Sequence, residues 1–169
     1  DSVTFDLQLP KAGADSWTSV NGSDGSSLGS LAKGMAIDLA TDGSAVYAMV
    51  GSLTGQRRYD AYRFSGSAWS HLGSPASGLG AGQLAWHGGA LYFLGSDYAD
   101  ATLYRLEGAT WKRLASVPSA SNAQDIALTS SNGELLVFAC ASQGIVYRLD
   151  GTRLVQAGPS LGIGPLQRP

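Results

Sequence analysis

Short apolar runs alternate along most of the chain with clusters of glycine, serine, aspartate and asparagine. Runs through Tyr47, Tyr92 and Val137 are too short for core helices, rich in β-branched and aromatic residues, and bounded by turn formers, so each predicts a strand. The dipeptides Asp42-Gly43, Gly88-Gly89, Asn132-Gly133, Ser65-Gly66 and Asp150-Gly151 favour tight hairpin turns and predict antiparallel neighbours. No apolar run approaches the roughly 20 residues that a bilayer-spanning helix requires. The expected class is all-β.

The pattern repeats. Tyr62-Arg63-Phe64-Ser65-Gly66, Tyr104-Arg105-Leu106-Glu107-Gly108 and Tyr147-Arg148-Leu149-Asp150-Gly151 are spaced 42 and 43 residues apart. Three residues after each glycine stands Trp69, Trp111 or Leu154. Upstream, Asp38-Leu39-Ala40, Gln83-Leu84-Ala85 and Asp125-Ile126-Ala127 recur, and the runs through Tyr47, Tyr92 and Val137 follow them. Each unit thus holds four strands, A to D: the Asp/Gln motif, the apolar run, the Tyr-Arg motif and the Trp strand. A four-stranded meander of this length cannot bury both faces alone and must stack on its own kind, which is the logic of a propeller blade.

The expected organisation is an N-terminal half blade and Gly/Ser-rich link over 1–35, blades over 36–80, 81–122 and 123–162, and a tail over 163–169. Phe5 to Leu9 and Trp17 to Val20 would supply strands C and D of the half blade. Three blades and a half make an open arc, because rings close with four to eight. Such an arc is part of a longer propeller, completes one with a second copy as a homodimer, or stands as an open arc with protected edges.

The segments Trp86-His87-Gly88-Gly89-Ala90-Leu91-Tyr92-Phe93-Leu94-Gly95, Leu103-Tyr104-Arg105-Leu106 and Trp111-Lys112-Arg113-Leu114 resemble the kelch-type propeller repeat in their order of turn, Tyr strand and Trp strand. The resemblance implies that strand A lines a central channel and that ligands sit on the B-to-C and D-to-A loops. There Arg57, Arg58 and Tyr59, with Asp97, Tyr98 and Asp100, would offer donors, acceptors and aromatic faces to a sugar or a peptide.

Residues that recur in every blade are read as architectural. Tyr62, Tyr104 and Tyr147, with Trp17, Trp69 and Trp111, are expected to fill the layers between blades. Arg63, Arg105 and Arg148 alternate with them and face the other way. They would pair with the strand A residues Asp38 and Asp125 (Gln83 in the second blade), lie solvated, or form a basic ring.

Charge and chemistry narrow the function. With 11 basic and 13 acidic residues and a net charge of −2, the chain has no field suited to nucleic acid. Its single cysteine, Cys140, lies in an apolar run, which excludes an intrachain disulfide and a multi-cysteine zinc site. Gly25-Ser26-Ser27-Leu28-Gly29 matches the nucleophile-elbow pattern but lies in a linker, not between a strand and a helix. His71 and His87 fall in different blades with no partner cluster in view, and the only glutamates, Glu107 and Glu134, lie near turns. Neither a metal nor a cofactor is expected.

The expected function is therefore a non-catalytic module, not an enzyme, binding a protein or carbohydrate partner without membrane insertion. A carbohydrate-active propeller enzyme and a structural accessory domain of a surface protein are the alternatives. Three lysines against eight arginines fit an extracellular or cell-surface setting.

Overall fold

The computed structural model describes residues 8–10, 17–19, 34–52, 58–78, 81–96, 100–117, 125–140 and 143–160. Among these, every regular element is a strand: β1 (Gln8–Pro10), β2 (Trp17–Ser19), β3 (Gly34–Thr41), β4 (Val46–Ser52), β5 (Arg58–Phe64), β6 (Trp69–His71), β7 (Ala81–His87), β8 (Ala90–Ser96), β9 (Ala101–Glu107), β10 (Thr110–Ser116), β11 (Asp125–Ser131), β12 (Glu134–Cys140), β13 (Gly144–Asp150) and β14 (Arg153–Gln156). They form a two-stranded pair, β1-β2, and three four-stranded sheets, β3-β4-β5-β6, β7-β8-β9-β10 and β11-β12-β13-β14. All neighbours are antiparallel. The three sheets are blades 1, 2 and 3 of a propeller-like stack.

Turn chemistry follows the dipeptides. Gly88 and Gly89 take φ of 54° and 79°, and Asn132 and Gly133 take 51° and 77°, the left-handed pair that a two-residue hairpin with native twist requires. Blade 1 makes its first turn differently, around Asp42. The Asp42 carboxylate accepts bonds from the Ser44 N–H at 2.8 Å, the Ala45 N–H at 2.7 Å, the Ser44 hydroxyl at 2.8 Å and the Tyr47 hydroxyl at 2.8 Å. The Ser44 and Ala45 amides lead in holding it far below the usual carboxylate range.

Side chains alternate across each sheet, so every blade has two faces: the back, which blades 2 and 3 turn toward the blade before them, and the front, which blades 1 and 2 turn toward the blade after them. The front of blade 1 (Ala45, Tyr47, Met49, Ala61) packs on the back of blade 2 (Leu84, Leu91, Phe93). The front of blade 2 (Ala90, Tyr92, Leu94, Leu103) packs on the back of blade 3 (Leu128, Leu135, Val137, Tyr147). Clamped from both sides, β8 is buried along its whole length.

Tyr104 and Trp111 of blade 2, and Tyr147 of blade 3 with Leu154 in the tryptophan position, enter these layers from the back, whereas Tyr62 and Trp69 are buried on the back of blade 1 with Ala48, Val50 and Phe64. Trp17 lies on β2 opposite Pro10.

One equivalence drawn from the repeat needs correction. Tyr47 and Tyr92 stand opposite Arg63 and Arg105, but it is Leu136 that stands opposite Arg148, while Val137 pairs with Tyr147. Val137 therefore faces back and Leu136 faces front, since a one-residue offset exchanges the two faces of a strand. The same register puts Ala127, not Asp125, at the position of Asp38 and Gln83.

The A strands β3, β7 and β11 run side by side along the inner edge. Asp38 clamps the first two: its carboxylate accepts the Leu84 N–H of the next blade and its own neighbour's N–H, Leu39, at 3.0 Å. Across the second junction His87 Nδ1 lies 2.9 Å from the Ser130 hydroxyl. Tyr47 stacks on Trp86 with centroids 5.1 Å apart, and the Trp111 indole N–H donates to the Leu72 carbonyl at 3.1 Å. At Gly82 a β-carbon would come within 2.5 Å of the Phe93 ring, so glycine there sets how closely β7 approaches this layer.

Candidate functional site

On β5, alternation places Arg58, Asp60 and Tyr62 on one face of the strand. Opposite Tyr62 stands His71, the last residue of β6, and the chain then turns so that Ser74 comes back over Asp60. Asp60 Oδ1 is the hub. Arg58 donates to it through Nε at 3.0 Å and Nη2 at 2.9 Å, His71 Nε2 lies at 3.0 Å, and the Ser74 hydroxyl donates at 2.5 Å. Arg58 Nε also reaches the Ser74 oxygen at 2.7 Å.

Electrostatics match this wiring. Partial burial raises the Asp60 pKa, but the bonds from Ser74, His71 and Arg58 and the Arg58 charge outweigh it and hold the carboxyl below its ordinary value. Beside it, burial and then the Asp60 charge push the Tyr62 hydroxyl up. Arg58 and His71 are half-exposed, so the cluster meets solvent where β5 begins and β6 ends, the B-to-C and D-to-A end of blade 1.

The other residues singled out from the sequence are dispersed. Tyr59 points the opposite way from Asp60: its ring is buried 5.5 Å from Phe93 and packs on Gly51, so its aromatic area goes into the layer between blades 1 and 2. Asp100 is exposed just before β9. Arg57, Asp97 and Tyr98 lie outside the described residues.

Two of the three recurring arginines take aromatic partners. Arg63 bonds the Tyr47 hydroxyl, and the Arg105 guanidinium lies 5.9 Å from the Tyr92 ring centre. The expected pairing with strand A acids gives way because arginine and tyrosine stand directly opposite in the register, whereas Asp38 is a strand further and committed to a peptide N–H. Arg148 has Leu136 in place of the tyrosine.

His71, which has no partner near it in the sequence, finds one in Asp60 on the neighbouring strand. The signal was the alternation Arg58-x-Asp60-x-Tyr62 in an otherwise apolar strand. Among the described residues no group of three histidine, cysteine or acidic side chains is placed to hold a metal ion.

No family model matches the chain, and no curated protein matches it. Among solved structures it is similar to a xylan β-1,4-xylosidase from Bacillus halodurans C-125, with 16% identity and a TM-score of 0.50 over 76% of this chain and 31% of that one. This chain therefore spans about a third of the length of the enzyme it matches. The expectation that the protein is not an enzyme is corrected by this finding, because the solved structure that shares its architecture is a catalyst. At that identity the likeness extends to the fold: an all-β, propeller-like stack of four-stranded antiparallel sheets.

Proposed function

We propose that this chain is part of a carbohydrate-active propeller enzyme and that the Arg58–Asp60–His71–Ser74 cluster holds a glycan at the loop end of blade 1. The convergence of these four side chains carries the reading. Sugars are bound by donors and acceptors fixed in advance, and the mutual bonds of the cluster fix both. The donors above converge on Oδ1, which leaves Oδ2 to accept a sugar hydroxyl, while Arg58 and His71 offer outward N–H groups.

The chemistry assigns Asp60 a binding role. Glycoside hydrolysis needs one carboxyl group that stays protonated to act as acid and a second that acts as base or nucleophile. Asp60 is held ionised, so it accepts hydrogen bonds and does not serve as the acid. The fold likeness to a xylosidase supports xylo-oligosaccharides as the first ligands to try.

The test is an NMR titration of the full chain with xylotetraose, alongside release of p-nitrophenol from an aryl β-xyloside. Arg58→Ala and Asp60→Asn should each weaken binding about tenfold, roughly 1.4 kcal/mol. A titration without shifts at residues 58–74, and no turnover, would overturn the proposal.

A further inference from the structure

The front faces of the three blades are built alike and covered differently. Register makes Tyr47, Met49 and Ala61 in blade 1 equivalent to Tyr92, Leu94 and Leu103 in blade 2 and to Leu136, Phe138 and Val146 in blade 3. The first two sets are buried, Tyr47 to 5% and Tyr92 to 6% exposure, under the back of the next blade. Leu136, Phe138 and Val146 are only half-buried. Beside them Val155, opposite Arg148 in the register, is 39% exposed, where blades 1 and 2 carry Ser70 and Lys112 opposite their arginines.

We infer that the front of blade 3 is a docking surface for one further four-stranded blade, whose back face presents aliphatic A and B strand residues as blades 2 and 3 do. The surface continues an interface already formed twice. Leu84, Leu91 and Phe93 cover one front face, Leu128, Leu135 and Val137 cover the next, and the third presents the same ladder of apolar side chains. Apolar side chains left half-buried in a row, with Val155 exposed beside them, fit an interaction site better than a finished surface.

A second copy of the chain does not fit. Stacked head to tail it would offer the back of its own blade 1, but Ala48, Val50, Tyr62, Phe64 and Trp69 there are already buried. Packed face to face about a two-fold axis, blade 3 would bring Arg148 toward its own copy, like charge against like.

The test supplies a blade and asks whether the face closes. The full chain is compared with an extended chain that carries a second copy of residues 118–160 after residue 160, because the back of blade 3 already fits a blade front. Bis-ANS serves as the probe of open apolar surface, and circular dichroism verifies each fold. In the original chain, Phe138→Ser and Val155→Ser should each reduce dye fluorescence while leaving the melting temperature nearly unchanged.

In the extended chain the melting temperature should rise, the dye signal from this face should fall several-fold, and Phe138→Ser should now destabilise. An added blade that melts separately and leaves dye binding and the indifference to Phe138→Ser as before overturns the inference. So does a concentration-dependent doubling of the original chain's mass that Phe138→Glu abolishes, since the occupant would then be a second copy.

Discussion

Strands β8 and β12 are both apolar runs at the second position of their blades, yet β8 is buried throughout, whereas in β12 buried and half-buried residues alternate from Leu135 to Ala139, between an exposed Glu134 and a buried Cys140. Their compositions, Ala-Leu-Tyr-Phe-Leu-Gly-Ser and Glu-Leu-Leu-Val-Phe-Ala-Cys, hardly foretell the difference. What differs is the neighbour: β8 has a sheet on each side, and the described core covers β12 from the back alone. In stacked sheets the contribution of a side chain is set by the layer it enters more than by its own hydrophobicity.

The contrast is most easily broken at two phenylalanines. Phe93 lies fully buried in the layer between blades 1 and 2, so Phe93→Ala should cost about 3–5 kcal/mol in chemical denaturation. Phe138→Ala, at a half-buried ring, should cost no more than about 0.5 kcal/mol; a loss equal to that at Phe93 would mean that the third layer is as closed as the first.

Next in size, Gly82→Ala should cost about 1–3 kcal/mol, because the new methyl must displace a buried ring. The variant Gly82→Ala/Phe93→Leu should recover part of that loss. Asp38→Ala removes the inner clamp and leaves the Leu84 N–H without its acceptor, a loss of about 1–3 kcal/mol. Hydrogen exchange at Leu84 should accelerate in that variant and stay unchanged at Leu128.

The smallest expected effect belongs to the exposed end of blade 1 and depends on pH. Asp60 is held below its unfolded value of about 3.9, so its contribution is present above that pH and is lost as pH falls through the lower folded value. The melting-temperature gap between the wild type and Asp60→Asn should therefore close as pH falls below about 4. A gap that persisted unchanged as Asp60 is protonated, below about pH 3, would show that the carboxylate is not stabilised by its partners.

Turn dipeptides and the recurring Tyr-Arg motif made the meander and its aromatic layers legible, because Asn132-Gly133 and the tyrosines act through local backbone geometry and alternation. The slip at Val137 was not legible. The B-to-C connections shorten along the chain, with β4 ending at Ser52 and β5 starting at Arg58, β8 at Ser96 and β9 at Ala101, β12 at Cys140 and β13 at Gly144. Counting residues assigns the shortening to either strand, and the hydrogen-bond register decides between them. The Asp60 cluster stayed hidden for a related reason: His71 and Ser74 reach it from a neighbouring strand and the turn beyond, through a pairing that no spacing encodes.

The clamp at Asp38 also bears on how such a chain can change over time. Its carboxylate reaches a main-chain N–H, which every amino acid except proline supplies. Position 84 is thus free to exchange its side chain, within the demands of the layer, without loosening the inner seam, whereas position 38 is not. The Asp38 contact between the first two blades is specified from one side only, so at this point neighbouring blades can diverge without having to vary in step.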